Sequence, residues 1–261
     1  MTVSTSSGRV QLCVELALES HQTALAQHRQ LNEIALRLLG QLDQWKFPAT
    51  WAIDTLSESA IGVAIQQASV EHEIALLGTP QWLDPEHTRS QFQAELTARI
   101  EAARELSATC TSLVLHHTQL PSAVDLIDQQ GIGVVRLASS QTQRWERAAQ
   151  IKRTRGGLYL VSPNGSLPVG TGAFAALTRG FRSRQLIRTI AASGTTSHLS
   201  IQLNRLLTGS PRLMSEFDRA LLALVDQRDA GGVQAETLAS MYAHRELQLK
   251  STPSRSILRA A

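Results

Sequence analysis

Cysteine is nearly absent from this sequence. Only Cys13 and Cys110 occur among its 261 residues, each in or beside an apolar run (QLCVEL and ATCTSLVL). That setting reads as two buried thiols and not as a disulfide. No Cys-x-x-Cys or Cys/His spacing suggests a zinc site. No apolar run approaches the roughly 20 residues a membrane helix needs. The start, MTVSTSSGRV, carries no apolar stretch behind a basic segment, so no signal peptide is expected and a cytoplasmic location is the reading. Charged residues make up 18%, too few for a disordered chain, and the formal charge of +3 comes without a long Lys/Arg block. The charge balance alone therefore gives no argument for nucleic acid. Internal repeats and low-complexity linkers are also missing.

What the chain has is apolar content, 43% of its residues, and a regular alternation. Short apolar runs are expected as strands at 9–16, 49–54, 72–78, 112–117, 134–139, 157–163 and 198–203. Between them lie amphipathic stretches. Leu31, Ile34, Leu38 and Leu42 keep helical spacing within 21–44, and Thr55 with Glu58 has capping-box spacing ahead of a helix to about Ser69. Asp84-Pro85 reads as an N-cap and first-turn proline before a helix that carries Phe92, Leu96, Ile100 and Ala103 on one face. Ser122 and Asp125 are expected to cap a short helix ending at Gly131. Helices also follow at 174–192, after Ser210-Pro211, and at 236–248. Strand–helix repetition means a mostly parallel sheet. A doubly wound sheet would carry a glycine-rich phosphate loop after its first strand, and LCVELALES has no glycine. The expectation is one α/β barrel domain over 9–249, with a flexible segment at 1–8 and a loosely held tail at 250–261.

Four segments, in order, resemble the polysaccharide deacetylases, the NodB-type carbohydrate esterases. FPATWAID (47–54) resembles that family's second strand, and HEIALLGTPQW (72–82) its metal-binding strand. HLSIQLNRLL (198–207) resembles a late strand, and LLALVDQRDAGGVQAETLASM (221–241) the closing helix and turn. The resemblance implies a distorted seven-stranded (β/α) barrel. It also implies hydrolysis of acetyl groups on sugars, with a divalent metal held by one Asp and two His, a second Asp as base, and a late His as acid.

Carried over residue by residue, the chemistry does not survive. The family's Thr-Phe-Asp-Asp-Gly falls on Cys13 to Ala17, so the base becomes Glu15 and the metal-binding Asp becomes Leu16. The two His ligands fall on Leu77 and Gln81. Leucine offers no lone pair, and a glutamine amide is a poor zinc ligand. The late His falls on Gln202, which does not titrate. The arginine motif falls near His116-His117-Thr118-Gln119 without a clear match. No metal and no other cofactor is expected.

The polar residues that remain define the candidates. Glu15 reads equally as a residual base and as a structural carboxylate paired with Arg136 or a histidine. His116 and His117, adjacent on an expected strand, must point to opposite faces. His198 reads as a hydrogen-bonded core residue. Trp51, Asp54, Leu16, Leu77, Gln81, Trp82, Arg136 and Gln202 are expected around the pocket, with Trp51 as a packed aromatic or a sugar platform and Trp82 over the mouth. Trp145 sits among Arg144, Arg147, Lys152, Arg153 and Arg155, and Arg179, Arg182, Arg184 and Arg188 form a second basic group. Three functions compete. The first is a non-catalytic relative that binds a carbohydrate or acts as a regulator in polysaccharide metabolism. The second is a metal-independent hydrolase of carbohydrate amides or esters using Glu15 with His116 or His198. The third is a protein that binds a polyanion or acidic polysaccharide.

Overall fold

Parallel pairing dominates the sheet, as the strand–helix alternation requires. The computed structural model describes residues 7–18, 25–56, 60–106, 108–138, 150–154, 156–167, 173–207 and 211–251. Ten strands join in one sheet: β1 (Gly8–Leu16), β2 (Thr50–Ile53), β3 (Glu73–Leu77), β4 (Ser112–Val114), β5 (Val134–Arg136), β6 (Gln150–Arg153), β7 (Tyr159–Ser162), β8 (Gly165–Ser166), β9 (Thr196–Gln202) and β10 (Val233–Glu236). The helices are α1 (Leu25–Gln44), α2 (Ala60–Gln67), α3 (Arg89–Glu105), α4 (Val124–Gln129), α5 (Ala173–Ser193), α6 (Leu203–Leu207), α7 (Pro211–Asp229) and α8 (Leu238–Ser251), with a 3₁₀ turn at Pro80–Leu83.

The seven expected strands are β1 to β5, β7 and β9, and they lie side by side in the order β7-β5-β4-β3-β2-β1-β9. Every pairing along that path is parallel. Among the described residues no pairing joins β7 to β9. β7 carries the antiparallel β6, and β9 carries the two-residue β8. The barrel is thus distorted by a gap. β10 pairs with the first half of β1, at Gly8 to Gln11, and β2 with the second half, at Cys13 to Leu16. β6, β8 and β10 escape sequence reading because they are short and polar (QIKR, GS and VQAE).

Side-chain alternation along each strand separates two cores. Leu12, Val14 and Leu16 of β1 join the large cluster between sheet and helices, together with Leu31, Leu38, Leu42, Phe92, Leu96, Ile100, Phe217, Leu221 and Leu224. Those helix positions are the ones the 3.6-residue period picks out. Cys13, Ala52, Ala75, Leu77, Val114, Val134, Tyr159 and Val161 form a smaller cluster on the inner face, closed by Leu238 and Met241 at the start of α8. Most inner residues of β2 and β3 are small, which leaves room for polar side chains along the barrel axis.

Several local expectations need correction. Asp84 does not cap α3; it ends the 3₁₀ turn, and Thr88 caps α3 in a capping box with Gln91. Ser122 does not cap α4 either, since Ala123 holds that position with no side-chain bond. Glu58 lies outside the described residues. Gly131 and Gly231 follow α4 and α7 with φ of 81° and 74°, conformations that glycine reaches without a Cβ clash. Cys13 is buried and Cys110 only half-buried, and both are free thiols pushed up to about 12 by burial.

The lower end of the barrel is plugged by α8. The Glu73 carboxylate accepts from Thr50 Oγ1 at 2.7 Å and from the Ala239 amide at 3.0 Å, while Thr50 Oγ1 accepts from the Leu238 amide at 3.0 Å. An acid is thus set where the helix amides are otherwise orphaned. Burial still outweighs these bonds and lifts the Glu73 carboxyl above its ordinary value of 4.5. The folded chain therefore holds this proton more tightly than the unfolded chain. The residue's contribution to stability is complete below the ordinary value and falls as pH rises toward the folded one. Glu73→Gln removes that dependence, so the stability of Glu73→Gln relative to wild type should climb between pH 4 and pH 7, measured by urea unfolding. Glu73→Ala, which leaves the Ala239 N–H and the Thr50 O–H without acceptors, should cost about 1–3 kcal/mol.

Candidate functional site

Functional sites of barrels form where the strands end, and a cleft of about 440 Å³ opens there. Its walls come from the ends of five strands and the loops after them. β1 supplies Glu15 and Ala17, the end of β2 Asp54, and β3 Leu77 with the turn through Gln81. His116 follows β4, and Gln202, Asn204 and Arg205 lie at the end of β9.

The floor is an ionic cluster. Glu15 faces inward beside Ala52 of β2 and opposite Gln202 of β9 in strand register. Its Oε1 accepts from Arg136 Nη1 at 2.7 Å, and both side chains are buried. Its Oε2 accepts from Gln202 Nε2 at 3.1 Å and lies 3.4 Å from His116 Nδ1. Arg136 Nη1 also approaches Cys13 Sγ at 3.6 Å. Burial by itself would lower the Arg136 guanidinium, but Cys13 and Glu15 outweigh it and hold the group above its ordinary value. The carboxylate thus has a cation on one oxygen and hydrogen-bonding groups on the other, which is what a buried charge requires.

Asp54 is buried at the rim, where its Oδ1 accepts from the Leu18 amide at 2.8 Å and ties the segment after β1 to β2. Arg99 reaches from α3 to the carbonyls of Asp54 and Leu77. These bonds keep the loops around the opening in place.

Among the residues expected around the pocket, Asp54, Leu77, Gln81 and Gln202 line it together with Glu15 and His116. Leu16, Trp51, Trp82 and Arg136 do not. Leu16 is next to Glu15, so strand alternation turns it outward into the helix-facing core. Trp51 is fully buried for the same reason, edge-on to His72. Trp82 folds back onto Phe92 and Arg99, with its indole N–H donating to Glu95 at 2.6 Å, and does not cover the mouth. Arg136 lies beneath the floor. Among the described residues no Phe, Tyr or Trp side chain is part of the cleft wall.

The histidines also separate. β4 ends at Val114, so His116 and His117 lie in the bend after it and not on the strand. His116 faces the cleft. The His117 imidazole is lowered, first by burial and then by His116. His198 is 1% exposed and its ring nitrogens have no protein partner, so the expected core hydrogen bond is not made. Burial and then the Arg136 and Arg245 charges press it down to about 3, which keeps it neutral, and it is not part of the cleft wall. Asn204, Arg205 and Thr79 were not singled out from the sequence. The signal was present in QLNRLL, directly after the late strand, where barrel loops carry sites.

The residues at the metal positions do not suit a metal. Leu16 points away, Leu77 is aliphatic, Gln81 is an exposed amide, and Glu15 is engaged by Arg136. Among the described residues no group of three His, Cys, Asp or Glu side chains is placed to hold an ion. Trp145, Arg144, Arg147 and Arg155 lie outside the described residues, as do the side chains of Arg179 and Arg182. Arg153 donates to Glu246 at 3.2 Å and stacks on Tyr159. No described helix is long and apolar enough to cross a membrane.

No family model matches the sequence, and no curated protein matches it either. Solved structures do match. A polysaccharide deacetylase candidate from Mycobacterium smegmatis is 14% identical with a TM-score of 0.63, covering 93% of this chain and 92% of that one. PuuE allantoinase is 14% identical with a TM-score of 0.62, covering 92% and 91%. A mutant of a CE4 family pseudoenzyme is 10% identical with a TM-score of 0.50, covering 91% of this chain and 68% of that one. The strand order, the inward alternation and these likenesses agree that the chain has the polysaccharide deacetylase fold.

Proposed function

We propose that this protein is a non-catalytic relative of the polysaccharide deacetylases, which keeps the cleft for binding a small polar or carbohydrate ligand and has a regulatory or binding role in polysaccharide metabolism. One observation carries the reading: at the cleft floor a closed Glu15–Arg136–Gln202–His116 cluster takes the place of a metal-centred one. A base must have a free lone pair directed at substrate or water. Here Arg136 engages one carboxylate oxygen, and Gln202 and His116 crowd the other. That a pseudoenzyme is found on this fold adds support. Purified protein dialysed against zinc should retain far less than one equivalent, and acetylated chitin oligosaccharides should release no acetate above the blank. Stoichiometric zinc with turnover would overturn the reading.

A second reading rests on a separate observation. Glu15 and His116 share the cleft at 3.4 Å, so the carboxylate could orient the imidazole as a metal-free acid–base pair for amide or ester hydrolysis. His198 is excluded from that role by its burial. The readings part on one variant. Under the second, His116→Ala abolishes hydrolysis of a small acylated substrate in metal-free buffer. Under the first, wild type and variant are equally inert.

The cluster's structural role gives its own test. Arg136→Met leaves the Glu15 charge buried and uncompensated and should cost about 3–5 kcal/mol. The double variant Glu15→Leu/Arg136→Met removes both charges and should recover most of that loss, as read from denaturant midpoints.

A further inference from the structure

The barrel interior holds a second polar group well below the cleft. On the inner face of β1, Gln11 lies two rows beneath Glu15. Strand register sets His198 of β9 directly beside it on one side and Glu236 of β10 on the other. Neighbours in register on parallel strands point to the same face, so all three enter the barrel. Gln11 and His198 are each 1% exposed and Glu236 is 4% exposed. Neither amide atom of Gln11, neither ring nitrogen of His198 and neither carboxylate oxygen of Glu236 has a hydrogen-bond partner within the protein.

The groups around this row of side chains account for only part of Glu236. Its Oε2 lies 3.5 Å from Arg9 Nη1, on the same face of β1 as Gln11, and 3.6 Å from His244 Nδ1 of α8, both of them partly exposed at the lower end of the barrel. Arg245 of α8 and Arg136 from above act on His198 through their charges only. Apart from the two long ion-pair contacts of Glu236 Oε2, these buried polar atoms have no partner within the protein, and they are too many to leave bare in one row.

We propose that Gln11, His198 and Glu236 form a buried water-binding site in the lower half of the barrel, in which ordered water bridges the three side chains. Water suits this set better than a metal ion. The Gln11 amide and the neutral His198 ring each have a donor and an acceptor to satisfy, while the carboxylate needs donors, and a water supplies both. Arg9 and His244 already face the carboxylate, so a further cation would be poorly placed. The site belongs to the barrel itself and is separated from the cleft floor by the Cys13 row.

A crystal structure at high resolution tests this directly. Density for at least one water bonded to two or more of the three side chains is the expected result. Direct contact of Gln11 with His198 or Glu236, or a coordinated cation between them, would overturn it. Water-relaxation dispersion gives a second measurement: Gln11→Met should hold at least one long-lived internal water fewer than wild type, and an equal number in both would count against the site. If the variant does not fold, the wild-type density decides.

Discussion

The Glu15–Arg136 ion pair organises this protein. Two opposite charges share the inside of a barrel, and neither can be there without the other. Because Arg136 reaches Glu15 from β5 on the far side of the sheet, the pair connects strands distant in sequence. The small Ala52 and Ala75 make space for it. Gln202 and His116 then gather around the remaining carboxylate oxygen, and the cleft takes shape above them.

That arrangement shows how the strand ends of this barrel can carry buried charge. A metal-centred site concentrates charge at the strand ends. Here the charge is balanced within the chain by a guanidinium, and a neutral amide at position 202 completes the shell. The cleft that results is lined by Glu15, Asp54, His116, Gln202 and Asn204, with apolar walls from Leu77 and Pro80. It offers hydrogen bonds and shape, the properties of a binding site, and among the described residues it has no Phe, Tyr or Trp platform for a sugar ring.

The inner face is polar along much of its length. Glu73 and Thr50 hold the start of α8, Gln11, His198 and Glu236 lie below Cys13, and Glu15 and Arg136 lie above. Each group has a different solution to burial: a helix N-terminus for Glu73, an ion pair for Glu15 and Arg136, and bridging solvent for the row between β9 and β10. The apolar clusters outside the sheet supply most of the packing, so the axis can carry these groups.

Much of the fold was legible from residue pattern. The seven parallel strands, the helix faces carrying Leu31 and Phe92, and the stop at Gly131 follow from period and turn chemistry, which act over a few residues. The inward alternation of Cys13 and Glu15 was equally a local property, and it already meant that Leu16 must face outward. Short polar strands such as β10 had no periodic signal, because their pairing depends on β1 waiting beside them. The choice of Arg136 and His116 as partners of Glu15, the retreat of Trp51 and Trp82 from the cleft, and the meeting of Gln11, His198 and Glu236 were decided only by tertiary structure. Those outcomes depend on which strands become neighbours and on their register, and register is a relation between segments that no single segment contains.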